Sequence, residues 1–140
     1  MSDNYSLIIK NGSCYIGGKF QNTDVALSGG KIKKIGKISL NNAKVIDASG
    51  KIVLPGVIDT QVHFREPGAN DAENLESGSR AAIAGGVTSV FEMPNTNPPT
   101  STFKEFNNKL SAAKNRMFCN YAFYFGATPD NMKELASVNT

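Results

Sequence analysis

The 140-residue sequence predicts an α/β chain in two parts, a small β-sandwich over residues 1–56 and three strand–helix units over residues 57–140. Three observations carry this. Short alternating apolar runs broken by glycine pairs fill the first part. The pattern changes at Pro55-Gly56. Beyond it, apolar runs alternate with helix-like stretches at about 30-residue spacing, which indicates βαβ units and a parallel sheet.

In the first part strands are expected at 6–10, 13–16, 23–28, Lys31–Gly36, Lys44–Asp47 and 51–54. Asn11-Gly12, Gly17-Gly18, Gly29-Gly30 and Ser49-Gly50 offer the positive φ angles that tight hairpins need. Glycine pairs also cradle phosphate, but none here opens a helix or precedes Lys-Ser/Thr, so hairpins explain them better. In the second part a strand at 57–64 leads to a helix at 73–84, capped by Asn74 and ended by Gly85-Gly86. A strand at 88–93 and a helix at 102–116, capped by Ser101 or Thr102, follow. A strand at 118–125 and a helix at 129–136, with Thr128 as cap and Pro129 in its first turn, complete the series. A closed (β/α)8 barrel takes about 250 residues. The three units therefore predict a fragment, a partial TIM (β/α)8 barrel whose pattern breaks off inside a helical stretch at residues 137–140. A free-standing sheet would instead leave Phe118, Tyr121, Phe123 and Phe125 on an uncovered edge that invites aggregation.

Apolar residues make up 40% of the chain and charged residues 19%, the profile of a soluble globular protein. Residues 1–56 carry a net charge of +5 and the remainder −2. The eight lysines behind the excess are spread through strand patterns with no arginine among them, so solvated strand faces account for them and no nucleic-acid partner is expected. No apolar run approaches the roughly 20 residues that span a bilayer, and the N-terminus lacks the layout of a signal peptide. A cytoplasmic protein with no membrane partner follows by default. Cys14 and Cys119 lie far apart, outside any CxxC pattern, and read as buried free thiols.

The chemistry concentrates on the strand at 57–64. Alternation places Asp59, Gln61, His63 and Arg65 on one side and Ile58, Val62 and Phe64 on the other. Four polar residues in register on a buried strand are costly unless they bind something. A barrel puts its chemistry at the C-terminal ends of its strands, where Gln61, His63 and Arg65 end the first and Asn95 the second. Taken alone, a lone histidine is more often structural than a ligand. Asn95 alone reads equally as a turn residue or a contact, and Glu66-Pro67-Gly68 reads first as a turn, with Glu66 a minor functional candidate. Asp59 is open between holding backbone and holding a metal's surroundings.

The segment from Leu54 to Gly68, with Asp59-Thr60-Gln61-Val62-His63-Phe64-Arg65 at its centre, resembles the first-strand signature of the amidohydrolase superfamily, in which a His-x-His pair binds a divalent metal, most often zinc. Residues 77–82, 85–88 and Met93-Pro94-Asn95-Thr96 continue the resemblance over essentially the whole chain. Arg65-Glu66-Pro67-Gly68 together with Pro94-Asn95-Thr96 is similar to dihydroorotases within that superfamily.

The resemblance implies a reversible hydrolysis of dihydroorotate to N-carbamoyl-aspartate in pyrimidine biosynthesis, with one or two Zn ions in the full-length enzyme. His63 and Gln61 would occupy metal-ligand positions, and Arg65 and Asn95 would bind a small-molecule substrate through its carboxylate. No catalytic residue is assigned. Gln61 stands where the pair has its first histidine, and an amide oxygen is a weaker zinc ligand than imidazole. His63 is the chain's single histidine, so the remaining ligands are expected on later strands, and no useful turnover is expected of these 140 residues alone. The 72–76 stretch also departs from the usual pattern. Two further readings stand beside this one: a non-catalytic dihydroorotase-like scaffold that partners aspartate transcarbamoylase, and an allantoinase- or hydantoinase-type hydrolase. A homo-oligomer is a further implied state.

Overall fold

The computed structural model describes residues 4–39 and 42–138. They fall into two compact units, Met1–Pro55 and Gly56–Thr140. Asn139 and Thr140, at the expected break-off point, lie outside the described residues.

The first unit is one mixed sheet of five strands, β1 (Leu7–Ile16), β2 (Lys19–Ser28), β3 (Lys31–Gly36), β4 (Lys44–Asp47) and β5 (Ile52–Val53), in the order β3-β2-β1-β4 with β5 also on β1. The described residues of this unit form this single sheet. The β1–β2 and β2–β3 hairpins turn on Gly17-Gly18 and Gly29-Gly30, all four at positive φ, as the sequence requires.

The Asn11-Gly12 pair is different. It does not turn the chain but forms a bulge inside a continuous β1, where the sequence predicts two strands. Asn11 adopts φ 62, and its N–H donates to Asp24 Oδ1 at 3.0 Å instead of to the ladder. Gly12 is required by crowding, because a Cβ there would lie 2.6 Å from Val53 Cγ2. The bulge splits β1 between two parallel partners, with Leu7 to Lys10 on β4 and Ser13-Cys14 on β5. Asp24 also accepts from Ile38 N at 3.1 Å and pairs with Lys10 Nζ at 3.0 Å. Burial opposes its charge, but these partners outweigh burial and hold the carboxyl below its ordinary range.

The second unit has a three-stranded parallel sheet, β6 (Val57–Val62), β7 (Val87–Glu92) and β8 (Asn120–Phe123), in that order. Helices α1 (Leu75–Ala84), α2 (Phe103–Ala113) and the single turn α3 (Met132–Leu135) follow the strands in turn. Phe64, Leu75, Val90, Ala113, Cys119 and Phe123 form the core, with Val62, Phe106 and Tyr121 packed against it. Strand alternation sends Phe91 to the opposite face, where it meets Tyr124 at 6.1 Å between ring centroids. Asn74 caps α1 in a reciprocal capping box with Ser77, and Thr102 caps α2.

The bounds of β8 and α3 differ from expectation. β8 is four residues long because Phe125 leaves the ladder to pack on Phe103 and Phe106. Of the four aromatics that a free-standing sheet would leave on an edge, Phe123 is buried, Tyr121 and Phe125 are half-buried, and Phe118 alone is exposed. α3 begins at Met132, after the predicted Thr128 cap and Pro129, because Asn131 Oδ1 accepts from Thr128 N at 2.8 Å and closes a turn there first. Among the described residues no helix is long and apolar enough to cross a membrane.

Candidate functional site

β6 and β7 end side by side, and Met93 N donates to Val62 O at 3.0 Å, so segments 63–70 and 93–98 leave the sheet together. The expected single-face register of 59–65 breaks. Pairing is irregular between Asp59 and Val62, where Asp59 Oδ1 accepts from Gln61 N at 2.9 Å. Asp59 therefore holds backbone. The strand stops at Val62, so His63 and Arg65 project from the loop beyond it, and Gln61, His63 and Arg65 are exposed rather than buried.

Two buried side chains fix that loop. Phe64 packs so closely on α1 that a Cβ at Gly78 would meet its ring at 2.5 Å. Glu66 takes both Arg116 terminal nitrogens, at 2.8 and 3.0 Å, and Leu75 N at 2.9 Å. This carboxylate ties the loop to the start of α1 and to the residues just after α2. Arg116 holds the Glu66 carboxyl below its ordinary range, with the Leu75 N–H assisting against burial. With Phe64 and Glu66 anchored inward, the side chain of the intervening Arg65 stays in solvent and makes no hydrogen bond or ion pair among the described residues, while its carbonyl accepts from Ala69 N at 2.8 Å.

The partner loop approaches closely. Gly68 sits at φ +113, and a Cβ there would fall 2.7 Å from Asn97 O and 2.8 Å from Asn97 Cβ. Asn97 N donates to Pro67 O at 3.1 Å. Between the loops lies a cleft of about 160 Å³, lined among others by Phe64, Arg65, Gly68, Asn95 and Thr96. The structure thus brings Arg65 and Asn95 to one cleft and joins His63 to Asn95, with Nδ1 and Oδ1 2.9 Å apart. Gln61 joins neither.

A second charged pair lies behind the site. Glu92 at the end of β7 and Lys109 of α2 are 0% and 2% exposed, with Nζ and Oε2 2.9 Å apart. Their alignment falls short of a hydrogen bond, and no other hydrogen-bond partner reaches either Glu92 oxygen or the Lys109 nitrogen among the described residues, though Lys109 Nζ lies 5.4 Å from the centroid of the Phe123 ring. Burial pushes the Glu92 carboxyl above its ordinary range against the pull of Lys109. Sequence reasoning passed over Glu92, Lys109 and Arg116. The signal was there for Glu92, an acid on the apolar side of an alternating strand.

A zinc centre takes about four donors. Among the described residues no three His, Cys, Asp or Glu side chains gather. One imidazole and one neutral amide do not by themselves make such a centre.

Comparison with known proteins places these features. A sequence profile described as "Amidohydrolase family" matches residues 52–138. An allantoinase of Desulfitobacterium hafniense is 41% identical over 133 residues, covering 94% of this chain and 30% of its own. A dihydroorotase of Aquifex aeolicus is 47% identical over 118 residues, covering 81% and 28%. Among solved structures, an L-hydantoinase (dihydropyrimidinase) from Arthrobacter aurescens superposes with a TM-score of 0.85 at 32% identity, over 94% of this chain and 30% of that one. The chain thus spans about 30% of the length of the relatives it matches.

Proposed function

We infer function from one premise: this chain belongs to the amidohydrolase family. That family is generally metal-dependent. The relatives named above are a dihydroorotase, an allantoinase and a hydantoinase.

Within that range we read a dihydroorotase-type activity, the reversible opening of the dihydroorotate ring to N-carbamoyl-aspartate in pyrimidine synthesis. The observation that carries it is the cleft shared by Arg65 and Asn95. A guanidinium fork matches a carboxylate, and an amide nitrogen beside it adds a donor. Dihydroorotate carries that carboxylate, whereas allantoin and simple hydantoins are neutral rings. Held there, the carboxylate fixes the ring's orientation relative to His63, which we assign as a zinc ligand, with Gln61 as a weaker ligand position. In this reading residues 57–140 are the opening units of a (β/α)8 barrel, and the remaining metal ligands come from elsewhere in the assembly.

Gln61 favours a second reading, a non-catalytic scaffold built on the same fold. The readings separate when ring opening is assayed in the gene product that contains this chain, with dihydroorotate, allantoin and a substituted hydantoin in parallel. Arg65→Met is expected to lower kcat/KM for dihydroorotate by about 10- to 100-fold, the worth of a hydrogen bond to a charged group, and to leave the neutral rings near wild type. Equal losses on all three would overturn the carboxylate reading. Bound zinc without any turnover would favour the scaffold.

A further inference from the structure

We propose that Asn95 is a positioning residue for His63: its Oδ1 holds the neutral imidazole as the Nδ1–H tautomer, leaving Nε2 as the ring's acceptor atom. The 2.9 Å contact joins Nδ1 to the amide oxygen. An amide oxygen only accepts, so Nδ1 must carry the proton. A neutral imidazole has one N–H, and Nε2 then keeps its lone pair. Turning the amide over would put Nδ2 against Nδ1 and force the opposite tautomer. Amide orientation and tautomer are therefore one two-state variable.

The backbone around Asn95 is anchored on both sides, by Met93 N on Val62 O and by Thr100 N on Pro94 O at 2.9 Å. The amide is thus delivered to the ring by the β7 loop, and the two strand ends are linked by side chains as well as by backbone. With Oδ1 committed to His63, Nδ2 remains the free donor of Asn95 at the cleft it shares with Arg65. This donor role, unlike the tautomer, rests on the carboxylate reading given above. It also explains why an amide serves here better than an acid. Aspartate would accept from His63 equally well, but it would set a second negative charge beside the bound carboxylate.

The chain's single histidine makes the test direct, since a long-range nitrogen–proton correlation spectrum contains one pair of ring nitrogens. At a pH where the ring is neutral, the wild-type spectrum is expected to show Nδ1 protonated. In Asn95→Ala the tautomer ratio should move toward Nε2–H by about three- to tenfold, the worth of one ordinary hydrogen bond. In this chain Asn95→Asp should retain Nδ1–H, and in the gene product that contains it the same change should weaken dihydroorotate binding. A wild-type ring protonated on Nε2, or a ratio unmoved in Asn95→Ala, overturns the proposal. Because the spectra are recorded without ligand, failure of the carboxylate reading would appear only in the binding measurement.

Discussion

Removing the Lys109 ammonium strands the Glu92 carboxylate in a packed interior, where its counter-charge lies 2.9 Å away in the native chain. Lys109→Met is expected to cost about 3–5 kcal/mol in urea denaturation, and adding Glu92→Leu should recover most of it. The sign of the pH dependence follows from burial. Glu92 has its pKa raised in the fold, so the native state favours the protonated form, and the stability of the single variant should fall as pH rises through that value. Glu66 behaves oppositely. Its folded pKa is depressed by Arg116, so its contribution is present above the ordinary carboxyl value of 4.5 and is lost as pH falls through the folded value. Glu66→Gln should therefore lower stability at neutral pH and flatten the acid limb, which urea melts at about pH 7 and about pH 3 will check.

At the level of elements, α1 shows how much of the structure the sequence makes legible. Asn74, the apolar run after it and Gly85-Gly86 define its ends, and the capping box forms where Asn74 suggests. Asn74→Ala is expected to cost about 1 kcal/mol, read as a shift in the denaturation midpoint, with Asn74→Ser nearly neutral. Local chemistry misled where two outcomes share one signal. Asn11-Gly12 suits a hairpin or a bulge equally, and Asp24, thirteen residues on, decides between them. The site divides in the same way. His63, Arg65 and Asn95 are legible because they sit in short contiguous motifs. The grip of Arg116 on Glu66 spans 50 residues and follows no local period, so only the fold reveals it. The same is true of the partnership between His63 and Asn95, which the sequence places on neighbouring strand ends without joining them.

Across the second unit, the sheet face opposite the core leaves Phe91 38% and Tyr124 41% exposed, and Ile58 on β6 is 57% exposed. Clustered apolar exposure of this kind promotes association. The chain is expected to enhance the fluorescence of a hydrophobic dye and to sediment faster as concentration rises, and Ile58→Lys should reduce both. β3 of the first unit resists such pairing better, since Lys31, Lys33 and Lys34 line an exposed strand. The seating of Gly68 on the Asn97 backbone reaches beyond either loop. A residue inserted into one would drive it into the other, so their lengths must change together. In chimaeras assembled from homologous genes, crossovers between positions 63 and 98 should yield few folded products unless both segments come from one parent. The stretch is a single unit of inheritance, and recombination experiments should place their junctions outside it.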